Sequence, residues 1–119
     1  MADSTADVLR QFDQAFLRHD PGLLSGIIAE DCVLENTGPA PDGSRHVGRE
    51  ECLAFWTGVA SQQQLVFETE AIDVTGERGI IRWRLRWGPG PDESVRGVNI
   101  MRVRAGQIVE ALGYVKGGS

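Results

Sequence analysis

Ile80-Ile81-Arg82-Trp83-Arg84-Leu85-Arg86-Trp87 decides the fold. Ile81, Trp83, Leu85 and Trp87 fall on one side of a period-two pattern, and Arg82, Arg84 and Arg86 fall on the other. Successive side chains of a β-strand point to opposite faces, so this is a strand with one apolar and one cationic face. The pattern continues outward. Residues 65–74 alternate likewise and reach residue 80 through the turn Thr75-Gly76-Glu77-Arg78-Gly79. Downstream, Gly88-Pro89-Gly90-Pro91-Asp92 is a loop by composition. Residues 95–104 form another strand, Ala105-Gly106 a tight hairpin, and residues 107–116 the last strand. Short connections between consecutive strands predict an antiparallel meander. Strands of this length in a small domain are expected to twist and curl.

Upstream the period is helical. Val8, Leu9, Phe12, Ala15 and Phe16 predict a helix over 4–19, with Ser4 and Asp7 as its capping signal. Asp20-Pro21 stops it and, as N-cap and first helical position, predicts a second helix over 21–30. Residues 32–36 are β-prone, and residues 37–43 are a Gly/Pro-rich loop. A third helix is expected over 49–60, with Glu50 and Glu51 in its first turn. The predicted fold class is α+β: three N-terminal helices cover one face of an antiparallel sheet.

Composition bounds the partners. The 119 residues make one domain, 1–119, with residues 116–119 expected to form a frayed tail. A net charge of −5 argues against nucleic acid or an anionic membrane surface. No apolar run is long enough to span a bilayer, and the polar start of the chain lacks a signal-peptide core. Cys32 and Cys52 make neither a disulfide framework nor a metal-ligand pattern. Reduced thiols in the cytoplasm, no metal and no cofactor are expected.

The order helix–helix–strand–helix–four strands resembles the nuclear transport factor 2-like superfamily, and its SnoaL-like branch in particular. The residues that carry the resemblance are 15–20, Ala29-Glu30-Asp31-Cys32-Val33, Pro39 through Gly48, Phe55-Trp56, and the hairpin Arg102-Val103-Arg104-Ala105-Gly106-Gln107-Ile108. The resemblance implies a cone: a curled sheet closed at its wide end by helices, with a ligand cavity inside. It also implies positions for a steroid isomerase-like site. Asn36 stands where that site has its base carboxylate. Phe12 replaces a donor tyrosine, Asn99 a protonated acid, and Trp56 a supporting tyrosine. An amide is no base near neutral pH, so that mechanism is not expected. No Asp–Arg–Asp set of the epoxide hydrolase kind is found, and neither His19 nor His46 makes the inward His–Asp pair of a scytalone dehydratase-like site.

By strand parity Leu34, Asn36, Trp83, Leu85, Trp87, Asn99 and Met101 share the concave face, beside Val95 and Gly97, and Phe12, Phe16 and Trp56 reach it from the helices. Apolar walls with a few amides suit a pocket for a small hydrophobic molecule; they also suit a packed core. Asp42 and His46 in the rim loop are acid–base candidates, or plain turn chemistry. Glu110 is a candidate if it faces inward; the hairpin alignment turns it outward, with Ala111 and Gly113 inward. On the convex face, Ile80, Val98 and Ile100 lie among arginines that could meet Glu68, Glu70 or Glu110 of a second copy. A homodimer through that face is expected. Two function classes stay open: an enzyme of the cyclase, isomerase, dehydratase or hydrolase kind acting on a small apolar metabolite, and a non-catalytic binding or dimerisation module.

Overall fold

The computed structural model describes residues 4–117. Helix α1 spans Thr5–Leu17 and is capped by Ser4, whose hydroxyl accepts from the Asp7 N–H at 3.1 Å. Its buried stripe is Val8, Leu9, Phe12, Ala15 and Phe16. Asp20 caps the next segment, but only one turn forms. The segment Pro21–Leu24 is a 3₁₀ turn, with Asp20 Oδ1 accepting from the Gly22 N–H at 3.1 Å. The expected helix over 21–30 is therefore corrected, and the domain has two α-helices among its described residues. Ser25 is extended and Gly26 has φ +85°, which reverses the chain. The β-branched Ile28 then enters strand β1, Ile28–Glu35.

Within the expected rim loop a short strand forms: β2, Arg45–Val47, pairs antiparallel with β1. Gly43 makes this possible: its φ is +78°, and a Cβ there would run into the Asn36 carbonyl. Helix α2 comes next at Arg49–Ala60 and is tied to β1 by Arg49 Nε donating to the Ile28 carbonyl at 2.8 Å. Strands β3 (Val66–Thr75), β4 (Arg78–Arg86), β5 (Ser94–Arg104) and β6 (Gln107–Val115) form the meander.

The six-stranded order is β2-β1-β6-β5-β4-β3. β1 runs parallel to β6, with Leu34 opposite Ala111. The sheet is thus mixed, not wholly antiparallel. No short connection joins these two strands, so the rule that placed the meander says nothing about them. Bulges interrupt the β3–β4 register at Glu70 and the β5–β6 register at Val109. Each leaves one residue unpaired and bends its strand, which curves the sheet around the helices. Fully buried Leu9, Leu24, Ile81, Met101 and Ile108 fill the core at the closed end. Gly79 sets the helix-to-sheet distance, because a Cβ there would meet Leu9 Cδ1. At the other end, Lys116 still donates its N–H to the Arg96 carbonyl at 2.9 Å. The rest of the expected tail, Gly118 and Ser119, lies outside the described residues.

Candidate functional site

Between the helices and the concave face the core gives way to a pocket of about 120 Å³. α1 supplies Phe12, Asp13 and Phe16; α2 supplies Phe55, Trp56 and Val59. β1 and the residues after it give Leu34, Glu35, Asn36 and Thr37. The meander gives Phe67, Glu68 and Thr69 from β3, Ile81, Trp83 and Leu85 from β4, Asn99 from β5, and Ala111 and Gly113 from β6. The aromatic rings form one cluster. Phe12 meets Trp56 edge-on at 4.9 Å and Phe16 at 4.9 Å, and Phe16 meets Phe67 edge-on at 5.4 Å. Such tilted and edge-on arrangements are the favoured geometries for aromatic rings.

Most residues expected at the site meet there: Phe12, Phe16, Leu34, Asn36, Trp56, Trp83, Leu85 and Asn99 all line the pocket. Trp87 does not. β4 ends at Arg86, and the chain turns away with the Trp87 N–H donating to the Glu93 carbonyl at 3.0 Å; Trp87 is 49% exposed. Met101 faces inward but lies under the helices, fully buried in core and away from the pocket. Asp42 is exposed in the loop after β1. His46 Nε2 lies 3.1 Å from Ser44 Oγ, and its ring packs on Phe55 at 4.7 Å. Neither Asp42 nor His46 touches the pocket. Glu110 lies on the convex face, where it accepts from Arg78 Nη1 at 3.1 Å.

The polar groups of the pocket are few and distinct. Asn36 Nδ2 donates to the Gly38 carbonyl at 3.2 Å, leaving its Oδ1 as acceptor. Asn99 sits opposite Gly113, whose missing side chain leaves Oδ1 of Asn99 and Cγ2 of Thr37 room to approach. Trp83 lies over Gly97, where a Cβ would come within 2.6 Å of the indole. Among the described residues, the Trp83 indole nitrogen is the buried side-chain polar atom without a hydrogen-bond partner. A buried N–H in that state costs roughly 1–3 kcal/mol relative to a satisfied one.

Sequence reasoning missed Asp13 and Thr69. The Thr69 hydroxyl donates to Asp13 Oδ2 at 2.6 Å. Burial holds the Asp13 carboxyl above its ordinary range, against the opposing effect of that hydrogen bond. The signal was present in the sequence: Asp13 lies four residues after Leu9 and three before Phe16, on the apolar stripe. Thr69 stands two residues after Phe67, at strand spacing. The two cysteines are free and buried, and burial pushes both thiols up, so neither is a reactive thiolate.

The SnoaL-like domain family matches residues 8–111. The chain belongs to that family. As a whole fold, this SnoaL-like domain superposes on an NTF2-like protein of unknown function from Mesorhizobium loti with a TM-score of 0.87. Identity is 52%, covering 95% of this chain and 91% of that one. A candidate polyketide cyclase from Sinorhizobium meliloti gives a TM-score of 0.71 at 23% identity, covering 90% and 93%. An epoxide hydrolase of the LEH-like kind from M. tuberculosis gives 0.73 at 18% identity, covering 98% and 82%. At those two identities the likeness carries the fold alone. No curated protein matches this SnoaL-like domain.

Proposed function

We propose that this SnoaL-like domain binds a small apolar molecule bearing a carbonyl or hydroxyl oxygen inside the concave pocket. The observation that carries the reading is the unpartnered indole N–H of Trp83, a residue in the wall of a largely apolar cavity. A buried donor without a partner calls for one, and a ligand oxygen is an acceptor of the right kind. Asn36 and Asn99 would orient the same molecule. Size narrows the class. A dry cavity of about 150 Å³ takes benzene, so about 120 Å³ encloses about one ring and excludes a fully enclosed steroid. The enzyme reading is a cyclase- or isomerase-type reaction on such a molecule. That reading takes its reaction classes from proteins that share the fold, a candidate polyketide cyclase and an epoxide hydrolase.

The convex face supports a homodimer. Ile80, Ile100 and Leu112 lie directly across β4, β5 and β6 from one another, with Val98 and the 53%-exposed Tyr114 in the next row. The glutamates expected to reach a second copy are instead engaged within the chain. Glu70 takes two hydrogen bonds from Arg96, Glu68 pairs with Arg86, and Glu110 pairs with Arg78. The apolar strip, rather than ion pairing, would carry such a contact; light scattering that returns a monomer mass at micromolar concentration rejects it.

Titrating tryptophan fluorescence with phenol, acetophenone and 2-indanone tests the pocket. Saturable one-to-one binding, weakened by the pocket-filling Ala111→Leu, is expected. Absence of saturable quenching with every probe contradicts the reading and leaves an interaction module.

A further inference from the structure

We infer that Asp13, held by Thr69, is the acid–base residue of this pocket, and that the bound molecule is one with a removable proton on the atom next to its carbonyl. The inference rests on the pocket being a ligand site and adds a reaction to it. It moves the chemistry from the β1 and β5 positions, where amides stand, to the seam between α1 and β3.

Three arrangements carry it. First, Asp13 differs from the other carboxylates that line the pocket in having no cationic partner among the described residues. Glu35, Glu68, Glu70, Glu110, Asp31 and Glu77 each lie beside an arginine on or near the outer surface. Asp13 lines the pocket, its side-chain partner is a neutral hydroxyl, and no arginine or lysine among the described residues pairs with it. Glu35 and Glu68 also border the pocket, but Arg45 and Arg86 hold them at 3.2 and 3.1 Å. Second, the sheet register brings the partners together. Thr69 is directly opposite Trp83, and Trp83 directly opposite Gly97. Directly opposed side chains have Cβ atoms about 4.5–5.5 Å apart. The carboxyl that Thr69 anchors therefore belongs to the same end of the pocket as the unpartnered indole N–H. Third, Asn99 is two residues beyond Gly97 on the same face, lines the pocket and offers a second donor beside the indole that lies over Gly97.

The step follows from those placements. The Asp13 carboxylate takes a proton from the carbon beside the ligand carbonyl. The C–H electron pair becomes a C=C bond as the carbonyl π pair moves onto oxygen. The Trp83 indole and the Asn99 amide N–H stabilise that oxygen, which is where charge develops. The Asp13 carboxylic acid then returns the proton to the same molecule, so no co-reactant is consumed. Burial raises the basicity of the Asp13 carboxylate above that of an exposed one. Thr69 does not touch the reacting atoms in this scheme; it is a positioning residue that fixes which carboxyl oxygen faces the ligand.

Deuterium exchange into 2-indanone, followed by proton NMR in D₂O, tests this with the whole chain. Wild-type protein is expected to accelerate exchange over buffer, and Asp13→Asn to lose that acceleration by roughly 100-fold or more. Binding of 2-indanone, read by tryptophan fluorescence, is expected to change by less than about threefold in that variant, since the isosteric amide still accepts from Thr69. Thr69→Val should lower the exchange rate, and Thr69→Ser should restore it. A structural role alone would not give that rescue. Binding without accelerated exchange in the wild type, or undiminished exchange in Asp13→Asn, overturns the assignment of Asp13 and leaves the pocket reading intact. No binding of 2-indanone, acetophenone or phenol overturns both.

Discussion

The two faces of one sheet carry opposite electrostatic arrangements on the same strands. On the convex face, arginine and glutamate alternate with aliphatics and settle into ion pairs such as Arg96–Glu70 at 2.7 Å and Arg104–Asp31 at 3.0 Å. On the concave side, Phe, Trp, Leu and Ile surround two amides, two hydroxyls and the Asp13 carboxyl, while the bordering Glu35 and Glu68 are held by arginines. Outside, water screens each pair, so the charges contribute little to stability. Inside, each polar group lacks that screening and must find a specific partner. Charge is abundant where it matters least and scarce where it matters most. That scarcity is why Asp13 and the Trp83 indole stand out.

Neighbouring positions on β4 give the sharpest break of the comparison. Ile81 is 2% exposed on the concave side, and Ile80 is 40% exposed on the convex side. Ile81→Ala is expected to destabilise the domain by about 3 kcal/mol, the usual cost of a large-to-small core change. Ile80→Ala is expected to cost under about 1 kcal/mol at concentrations where the protein is monomeric. Urea denaturation of both variants checks this; equal losses would mean that the convex face is buried in solution.

Trp83→Phe is the next largest effect. It keeps the aromatic wall and removes the N–H. Affinity for acetophenone should fall about tenfold, equivalent to roughly 1.4 kcal/mol and within the range for one buried hydrogen bond. Unchanged affinity in a calorimetric titration would remove the indole from the site.

Asp13→Asn sharpens the comparison through stability. Burial raises the folded-state pKa of Asp13 above the ordinary value of 3.8. The folded state therefore holds its proton more tightly than the unfolded state, and stability falls as pH rises from that value through the raised one. The amide carries no such penalty. The variant should be more stable than wild type at neutral pH, and the gain should vanish once pH drops below the ordinary carboxylate range. Thermal melts at about pH 3 and about pH 7, on either side of that range, measure it. A variant less stable than wild type at neutral pH contradicts the placement of the carboxyl.

The smallest change belongs outside. In Glu70, the Arg96 hydrogen bonds hold the carboxyl below its ordinary range, so the pair supports folding above that range and is lost as pH falls through the lowered value. The pair is exposed and screened. Glu70→Gln should leave the melting temperature within a degree or so, and any difference should disappear in high salt. A large, salt-insensitive loss would show that this face is not solvated.

Much of this contrast was legible in the sequence, because a strand has a period of two and one face is buried. Arg82, Arg84 and Arg86 against Ile81, Trp83 and Leu85 fixed both faces of β4 and, through short turns, the parity of Asn99. Trp87 broke the rule because the strand ends one residue earlier. The parallel pairing of β1 with β6 was illegible: its partners lie far apart in the chain and no local signal joins them. The 3₁₀ turn at Pro21–Leu24 shows capping chemistry acting without helix propagation. Asp20 and Pro21 opened a helix that Ser25, Gly26 and two β-branched isoleucines could not continue. Asp13 was readable as a carboxylate in an apolar stripe. Its meaning depended on Thr69, 56 residues away, which only the tertiary fold brings to it.

The most direct test of the pocket is a nitrogen–proton correlation spectrum of the tryptophan indoles during titration with acetophenone. The Trp83 indole N–H should shift progressively and saturate as it gains an acceptor, while the Trp87 indole, outside the pocket, stays in place. A stationary Trp83 signal at saturating ligand, or a shift confined to Trp87, would contradict the claim that the concave pocket is the binding site.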